Sequence, residues 1–180
     1  SISFAAFMAI GFSNAQAADV TLCTGKEGGG YDQVMKIIGG ELQNQGHSVT
    51  YLNRDGSQSI LSSLSSGQCQ YGPAQSDVYY SMNKSDQSLS TNVPPASVLY
   101  PEVMTMVCDK RSGIDELEDL TEKNSVIVDT MGSGSALSWE TIVKIEKEFG
   151  RGNSWSKATP IYTSLNDAEA AISVGQAQCA

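Results

Sequence analysis

Apolar residues recur along this chain with two different periods, and the alternation between them outlines a fold. Residues 19–23 alternate loosely around Val20 and Leu22 and read as a short strand, and residues 48–52 have the same character. Between them Val34, Ile37, Ile38 and Leu42 fall at i, i+3, i+4 and i+8, the stripe of an amphipathic helix that Gly46 ends. Ile60, Leu61 and Leu64 mark a second helix, stopped by Ser66-Gly67, and residues 71–75 form a third strand candidate. Residues 84–95 are polar and end in prolines, which predicts a surface loop. Two apolar runs, 96–99 and 103–108, flank Tyr100-Pro101-Glu102. Beyond them Ile114, Leu117 and Leu120 predict one short helix, and residues 125–128 a buried strand. Trp139, Ile142, Val143 and Phe149 predict a further amphipathic helix, and residues 160–162 a brief strand. Asn166-Asp167-Ala168-Glu169 reads as a capping box opening a last helix to residue 175. The order is β-α-β-α-β, a crossing segment, then β-α-β-α, so the fold class is α/β, with parallel sheets and helices on both faces.

Three strand-to-helix turns share one chemistry: Gly28-Gly29-Gly30, Gly56-Ser57 and Gly132-Ser133-Gly134-Ser135. A helix start presents unpaired N–H groups and a partial positive charge, which suit a carboxylate or phosphate. Glycine lets a ligand approach the backbone, and serine caps the helix or bonds the ligand. In open α/β sheets such turns gather at the carboxyl ends of the strands. Any one of them alone is an ordinary turn; three in corresponding places predict a site. Tyr31, Tyr79, Tyr80, Tyr100 and Trp139 lie beside these turns and are candidates for its walls.

Other chemistry fits less well. Gly25-Lys26-Glu27 lacks the Ser or Thr that follows the lysine of a P-loop, and no G-x-G-x-x-G occurs. His47 is the only histidine, so a Ser-His-Asp arrangement would have to use it, and Gly132-Ser133-Gly134-Ser135 is not a G-x-S-x-G elbow. Asp115-Glu116 and Glu118-Asp119 read as a solvated face, and no metal-binding cluster is evident. The expectation is a binding protein without cofactor or metal, not an enzyme.

Composition places that site outside the cytoplasm. Residues 2–12 are apolar and uncharged, and Ala15-Gln16-Ala17 follows: the core and small-x-small site of a secretory leader, with cleavage expected after Ala17. No basic segment or initiator Met precedes them, so the sequence reads as starting inside its leader. The net charge of −9 and pI near 4.4 argue against nucleic acid and anionic membranes as partners. They leave a small anion possible, held by local backbone dipoles. Cys23, Cys69, Cys108 and Cys179 are too widely spaced for a zinc site. In an oxidising compartment they allow three disulfide connectivities, with four buried thiols as the alternative.

Several stretches occur in a recognisable order: Thr24-Gly25, Gly28-Gly29-Gly30-Tyr31, residues 53–57 with Ile60-Leu61, Gly67-Gln68-Cys69-Gln70-Tyr71, and Gln75-Ser76-Asp77. With Leu99-Tyr100-Pro101-Glu102, residues 112–120 and the Gly132–135 turn, they resemble TAXI-type solute receptors of TRAP transporters over nearly the whole chain after the leader. Gln70 differs, standing where such proteins commonly carry an acidic residue. The resemblance implies a two-lobed type II periplasmic-binding-protein fold: lobe one at 18–103, a hinge at 104–108, lobe two at 109–180, truncated just as another strand should begin. It implies a monomeric periplasmic receptor that gives a carboxylate solute, an amino acid or organic acid, to an integral-membrane permease. Carried over by likeness, the ligand site comprises Gly29, Gly30, Tyr31, Gly56, Ser57, Gln75, Ser76, Asp77, Ser133, Gly134 and Ser135. The alternatives are the receptor of an ATP-driven importer, a sensor module, or an exported hydrolase using Ser133 or Ser135.

Overall fold

Two pairs of parallel strands organise the chain. The computed structural model describes residues 17–150 and 152–180, so all but the last residue of the expected leader (residues 1–17) lies outside the described residues. Strand β1 (Asp19–Thr24) pairs in parallel with β2 (Ser48–Asn53), from Asp19 opposite Ser48 to Thr24 opposite Asn53. Helix α1 (Gly30–Asn44) makes the crossover that a parallel pair requires. Leu22, Cys23 and Thr24 are wholly buried because β1 is covered on both edges: Cys23 N–H donates to Tyr71 O (2.8 Å) and Gln70 N–H to Thr21 O (2.9 Å). The third strand expected at 71–75 is reduced to that single bridge. Pro73 has no N–H to extend a ladder, and Gly72 lies so close that a Cβ would sit 2.7 Å from Ile60 Cγ2.

Helices α2 (Ser57–Ser65) and α3 (Ser76–Ser85) follow, then a short α4 (Leu89–Asn92) inside the expected 84–95 loop. Leu89 explains that difference, since it is buried against Leu61 and Val78 and draws a turn of helix onto the core. The predicted stripe of α1 also shifts. Ile37 is 74% exposed, and Asp32, Met35 and Gly39 are buried instead. At Gly39 the Tyr51 ring presses directly on the helix where any Cβ would collide with it, and this contact sets the rotation of α1.

Residues 94–107 cross without regular structure to the second pair, β3 (Ser125–Ile127) and β4 (Thr159–Ile161), linked by α5 (Gly134–Phe149). Cys179 bridges Val126 in parallel on the other side of β3. The single helix expected around Ile114 is two 3-10 turns, Lys110–Ser112 and Leu117–Asp119. Gly113 is left-handed (φ 70), and the Asp119 carboxylate takes the N–H groups of Asp115 and Glu116, which curls the chain too tightly for an α-helix. The capping box expected at Asn166 and Glu169 does not form. Ser164 Oγ accepts Asn166 N–H (3.2 Å), and α6 (Ala168–Ser173) starts after a turn at Leu165–Asp167. The core of this half is built on Trp139 and Trp155, set edge to face at 6.2 Å among Ile114, Leu120, Val126, Val128 and Ala136.

All four cysteines are in disulfides, Cys23–Cys69 and Cys108–Cys179, which settles the connectivity and removes the thiol alternative. The first ties β1 to the segment beside it, and the second ties the end of the crossing segment to the third strand position of the β3 sheet.

The first glycine turn is held from below by a buried carboxylate. Asp32, 1% exposed, accepts Gly28 N–H (2.9 Å) and the Lys36 ammonium (2.7 Å) through Oδ2, and Asn53 Nδ2 through Oδ1 (3.4 Å). Asn53 Nδ2 also donates to Gly25 O and Thr24 Oγ1, both at 2.9 Å. Gly28 takes φ 76, which a side chain would resist, so sequence and staple together fix the turn.

Two outcomes follow for stability. Each disulfide closes a long loop, of 46 and 71 residues' separation, and in the chain-entropy picture removing either costs about 4 kcal/mol. Denaturant unfolding of Cys23→Ala/Cys69→Ala against the parent measures this, and equal unfolding free energies would refute it. The Lys36 ammonium, then the Gly28 N–H, hold the Asp32 carboxyl below the usual carboxylate range. A depressed folded-state pKa contributes stability that is complete above the unfolded value, roughly pH 4, and fades as pH falls through the folded one. Urea midpoints of the parent and Asp32→Asn should therefore differ most at neutral pH and converge below about pH 4. A gap that persists undiminished at pH 2.5 would show that Asp32 acts through packing alone.

Candidate functional site

Both strands of a parallel pair end on the same side, so the helices that follow them start there together. At that end of the β1 sheet lie the start of α1 at Gly29 and Gly30, of α2 at Gly56 and Ser57, and of α3 at Gln75 and Ser76. At that end of the β3 sheet lies the start of α5, with Ser133 as its N-cap. The two sets meet face to face. A Cβ on Gly56 would stand 3.3 Å from Ser133 Cα, one on Gly132 would reach Gln58 Oε1 at 2.9 Å, and one on Gly134 would run into the Gln75 amide. Glycine at 56 and 134 is what lets the helix starts touch.

Side chains stitch the same meeting place. Ser57 Oγ is buried, accepts Gln75 N–H (3.1 Å) and lies 3.3 Å from Tyr31 Oη. Tyr31 donates to Glu102 Oε2 (3.2 Å), and its hydroxyl pKa is raised well above an ordinary phenol, by burial first. Across the divide, the Lys26 ammonium donates to Thr130 Oγ1 (3.1 Å) and lies 3.6 Å from Asp129 Oδ1, and Ser138 Oγ donates to Asp77 Oδ2. Asp129 itself is left-handed (φ 69), a conformation that asparagine and aspartate tolerate best and that occurs at functional turns. Gln75 Oε1 is buried against Gly134 and has no hydrogen-bond partner. An orphaned buried acceptor is uncommon, and here it lies at the positive end of α5.

The expected residues divide accordingly. Gly56, Ser57, Tyr31, Gln75, Asp77, Ser133 and Gly134 come together; Ser135 is half-buried in the first turn of α5 beside them. Gly29 and Gly30 stand one turn back, with the Gly29 N–H already donated to Lys26 O (3.0 Å), and Ser76 faces solvent. Ser133 Oγ accepts Ala136 N–H (3.2 Å) as a helix cap. Of the aromatic candidates Tyr31 alone bonds into the cluster. Trp139 belongs to the core, and Tyr79 and Tyr80 form an edge-to-face pair (5.7 Å) on α3.

Lys26, Gln58, Glu102, Asp129, Thr130 and Ser138 were not foreseen. Lys26 carried a signal, a cation inside a glycine turn, whereas the Tyr31–Glu102 contact spans 71 residues and has none. His47 sits at the other end of the β1–β2 pair, half-buried, where Nδ1 accepts Ala18 N–H (3.2 Å). A serine at the start of α5 therefore has no imidazole beside it to act as base. Asp115, Glu116 and Asp119 form a surface turn, and among the described residues no group of three or more His, Cys, Asp or Glu could hold a metal ion. Two surface grooves lie elsewhere, about 490 Å³ between α5 and β4 and about 300 Å³ over α2 and α4. The glycine turns themselves are in contact, Gly56 against Ser133 and Gly134 against Gln75.

No protein-family model matches the sequence, and no curated protein is detectably similar to it. Solved structures are. The alkanesulfonate-binding protein SsuA from Xanthomonas axonopodis pv. citri, bound to MOPS, superposes with a TM-score of 0.56 and 19% identity over 92% of this chain and 54% of that one. A nutrient binding protein from Burkholderia cenocepacia bound to methionine superposes with a TM-score of 0.50 and 10% identity, over 89% of this chain and 69% of that one. The chain thus spans about half the length of the first. At these identities the likeness is one of fold: this is a two-lobed α/β chain with the architecture of periplasmic solute-binding proteins.

Proposed function

We propose that this chain is the capturing component of an extracytoplasmic uptake system, a receptor that takes a small acid-bearing solute between two lobes and closes on it. The lobes would be residues 18–103 and 109–180, joined through 104–108, with residues 1–17 directing export to the periplasm. The observation that carries this reading is the meeting of the α2 start at Gly56 and Ser57 with the α5 start at Ser133 and Gly134. Backbone N–H groups of opposed helix starts suit an acid group, and glycine on both sides of the contact leaves that backbone open to close approach. In the touching state the Gln75 amide oxygen occupies the positive end of α5 without a donor. A ligand carboxylate or sulfonate entering between the turns would displace that oxygen and accept N–H groups of Gly134 and Ser135. Tyr31, Ser57, Ser76, Asp77, Gly29 and Gly30 would complete its surroundings from the first lobe. Similarity of fold to proteins bound to MOPS and to methionine supports a solute of that size. The ordered motifs described at the outset support delivery, as a monomer, to a TRAP-type integral-membrane permease.

A thermal-shift screen against amino acids, organic acids, sulfonates and sugars tests the reading. A true ligand at 100 times its dissociation constant adds about 2.7 kcal/mol to stability. A flat response across all four classes would sink it. The Gly134→Ala variant tests the place: its methyl would fill the space that the Gln75 amide now takes and that the acid group would enter, so ligand affinity should fall at least tenfold, about 1.4 kcal/mol, with an unchanged far-ultraviolet spectrum. Parental affinity in that variant would remove the α5 start from the site.

A further inference from the structure

A carboxylate enters the meeting place from the crossing segment. The hydrogen bonds that reach it have one possible direction. Gln75 N–H donates to Ser57 Oγ, which leaves the Ser57 hydrogen for Tyr31 Oη, and Tyr31 in turn donates to Glu102. The chain of donors ends on an ionised carboxylate, which only accepts, and each link polarises the next. Burial keeps the Tyr31 hydroxyl protonated, so it remains a donor. Tyr100, two residues before Glu102, has its hydroxyl pKa raised as well, by burial and then by the Glu102 charge. Glu102 is thus an accepting group held by Tyr31, one hydroxyl away from the first residue of α2.

The balance of charge there is acidic. Lys26 is the cation bonded across the divide, and it faces Asp129, while Asp77 and Glu102 are bonded into the same meeting place. A simple organic acid brought to Ser57 would be attracted by the helix starts and repelled by Glu102 at short range. A solute with an ammonium group beside its acid group meets no such conflict. Its ammonium can replace the Tyr31 hydroxyl as the donor to Glu102 and lie against a tyrosine face.

We propose that Glu102 is a specificity-determining residue that takes the ammonium group of a zwitterionic solute whose acid group lies at the helix starts. The ligand class is then the compound with both groups on adjacent atoms, in preference to the acid lacking the amine. This rests on the receptor reading above.

Matched pairs decide it, measured by thermal shift and then titration calorimetry on the whole chain: L-glutamate with glutarate, L-alanine with propionate, and L-leucine with 4-methylpentanoate. In a pair that binds, the amino member should bind at least tenfold more tightly than its deaminated partner. Glu102→Gln should weaken the amino member at least tenfold and leave the deaminated one bound as tightly or more tightly, while Glu102→Asp keeps part of the preference. Deaminated acids binding as well as their partners would overturn this assignment and leave the receptor reading standing. An amino member bound equally by Glu102→Gln would do the same. No binding by any member of any pair would count against both.

Discussion

Parallel pairing is the constraint from which the arrangement follows. β1 and β2 can lie side by side in one direction only if α1 carries the chain back between them, and β3 and β4 require α5 for the same reason. Every such crossover begins at the carboxyl end of a strand. The helix starts are therefore assembled at one end of each sheet before any side chain at the site is considered. What the sequence adds is glycine where the two sets touch, at 56 and 134, and serine where a helix start needs a cap or a bond, at 57 and 133. His47 illustrates the converse. It lies at the amino end of the strands, and there it serves only to hold the N–H of Ala18.

The site carries its charges in two layers. Asp32 is below, sequestered by Lys36, Gly28 and Asn53, and shapes the first turn without presenting charge to the space above it. Asp77 and Lys26 are at the surface of contact and would change partners if the lobes parted, while Glu102, held by Tyr31, stands beside them on the first lobe. Burial separates the two roles: a carboxylate that is 1% exposed and fully bonded is architecture, and one held by a single tyrosine hydroxyl is available to a ligand.

Local chemistry was legible in the sequence, and long-range chemistry was not. The three glycine turns, the α1 and α5 stripes and the strands around Val20 and Val126 could be read because period and turn residues are properties of neighbours. Ile37 misled because its exposure is decided by Tyr51 pressing on Gly39 from another element. The strand at 71–75 failed for the same kind of reason: Gly72 is packed against Ile60, and the ladder stops. At the site, Ser57 and Ser133 announced themselves by their turns, and Gln75 by the resemblance of its stretch to solute receptors. Glu102 could not, since its importance lies in a bond to a residue 71 positions away from a segment with no regular structure.

The contacts across the divide are of a kind that a small ligand can outbid. Lys26 is 42% exposed in its side chain, and such ion pairs contribute roughly 0–1 kcal/mol. The Ser138–Asp77 bond is on the surface as well, and the Gln75 amide oxygen makes no bond to lose. Contact between the lobes therefore rests on a few weak polar bonds, the close approach at Gly56 and Gly134, and Leu137 of α5 packed against Leu61, Val78 and Leu89. A solute that satisfies the orphaned end of α5 and both partners of Tyr31 gains most when the lobes close around it. On the proposed receptor reading, that difference between states is what would convert binding into closure, because a ligand shifts a conformational equilibrium only by as much as it prefers one side. A site held shut by strong apolar packing would bind less readily, and one with no contact at all would signal nothing. Weak polar contact between opposed helix starts lies between those limits.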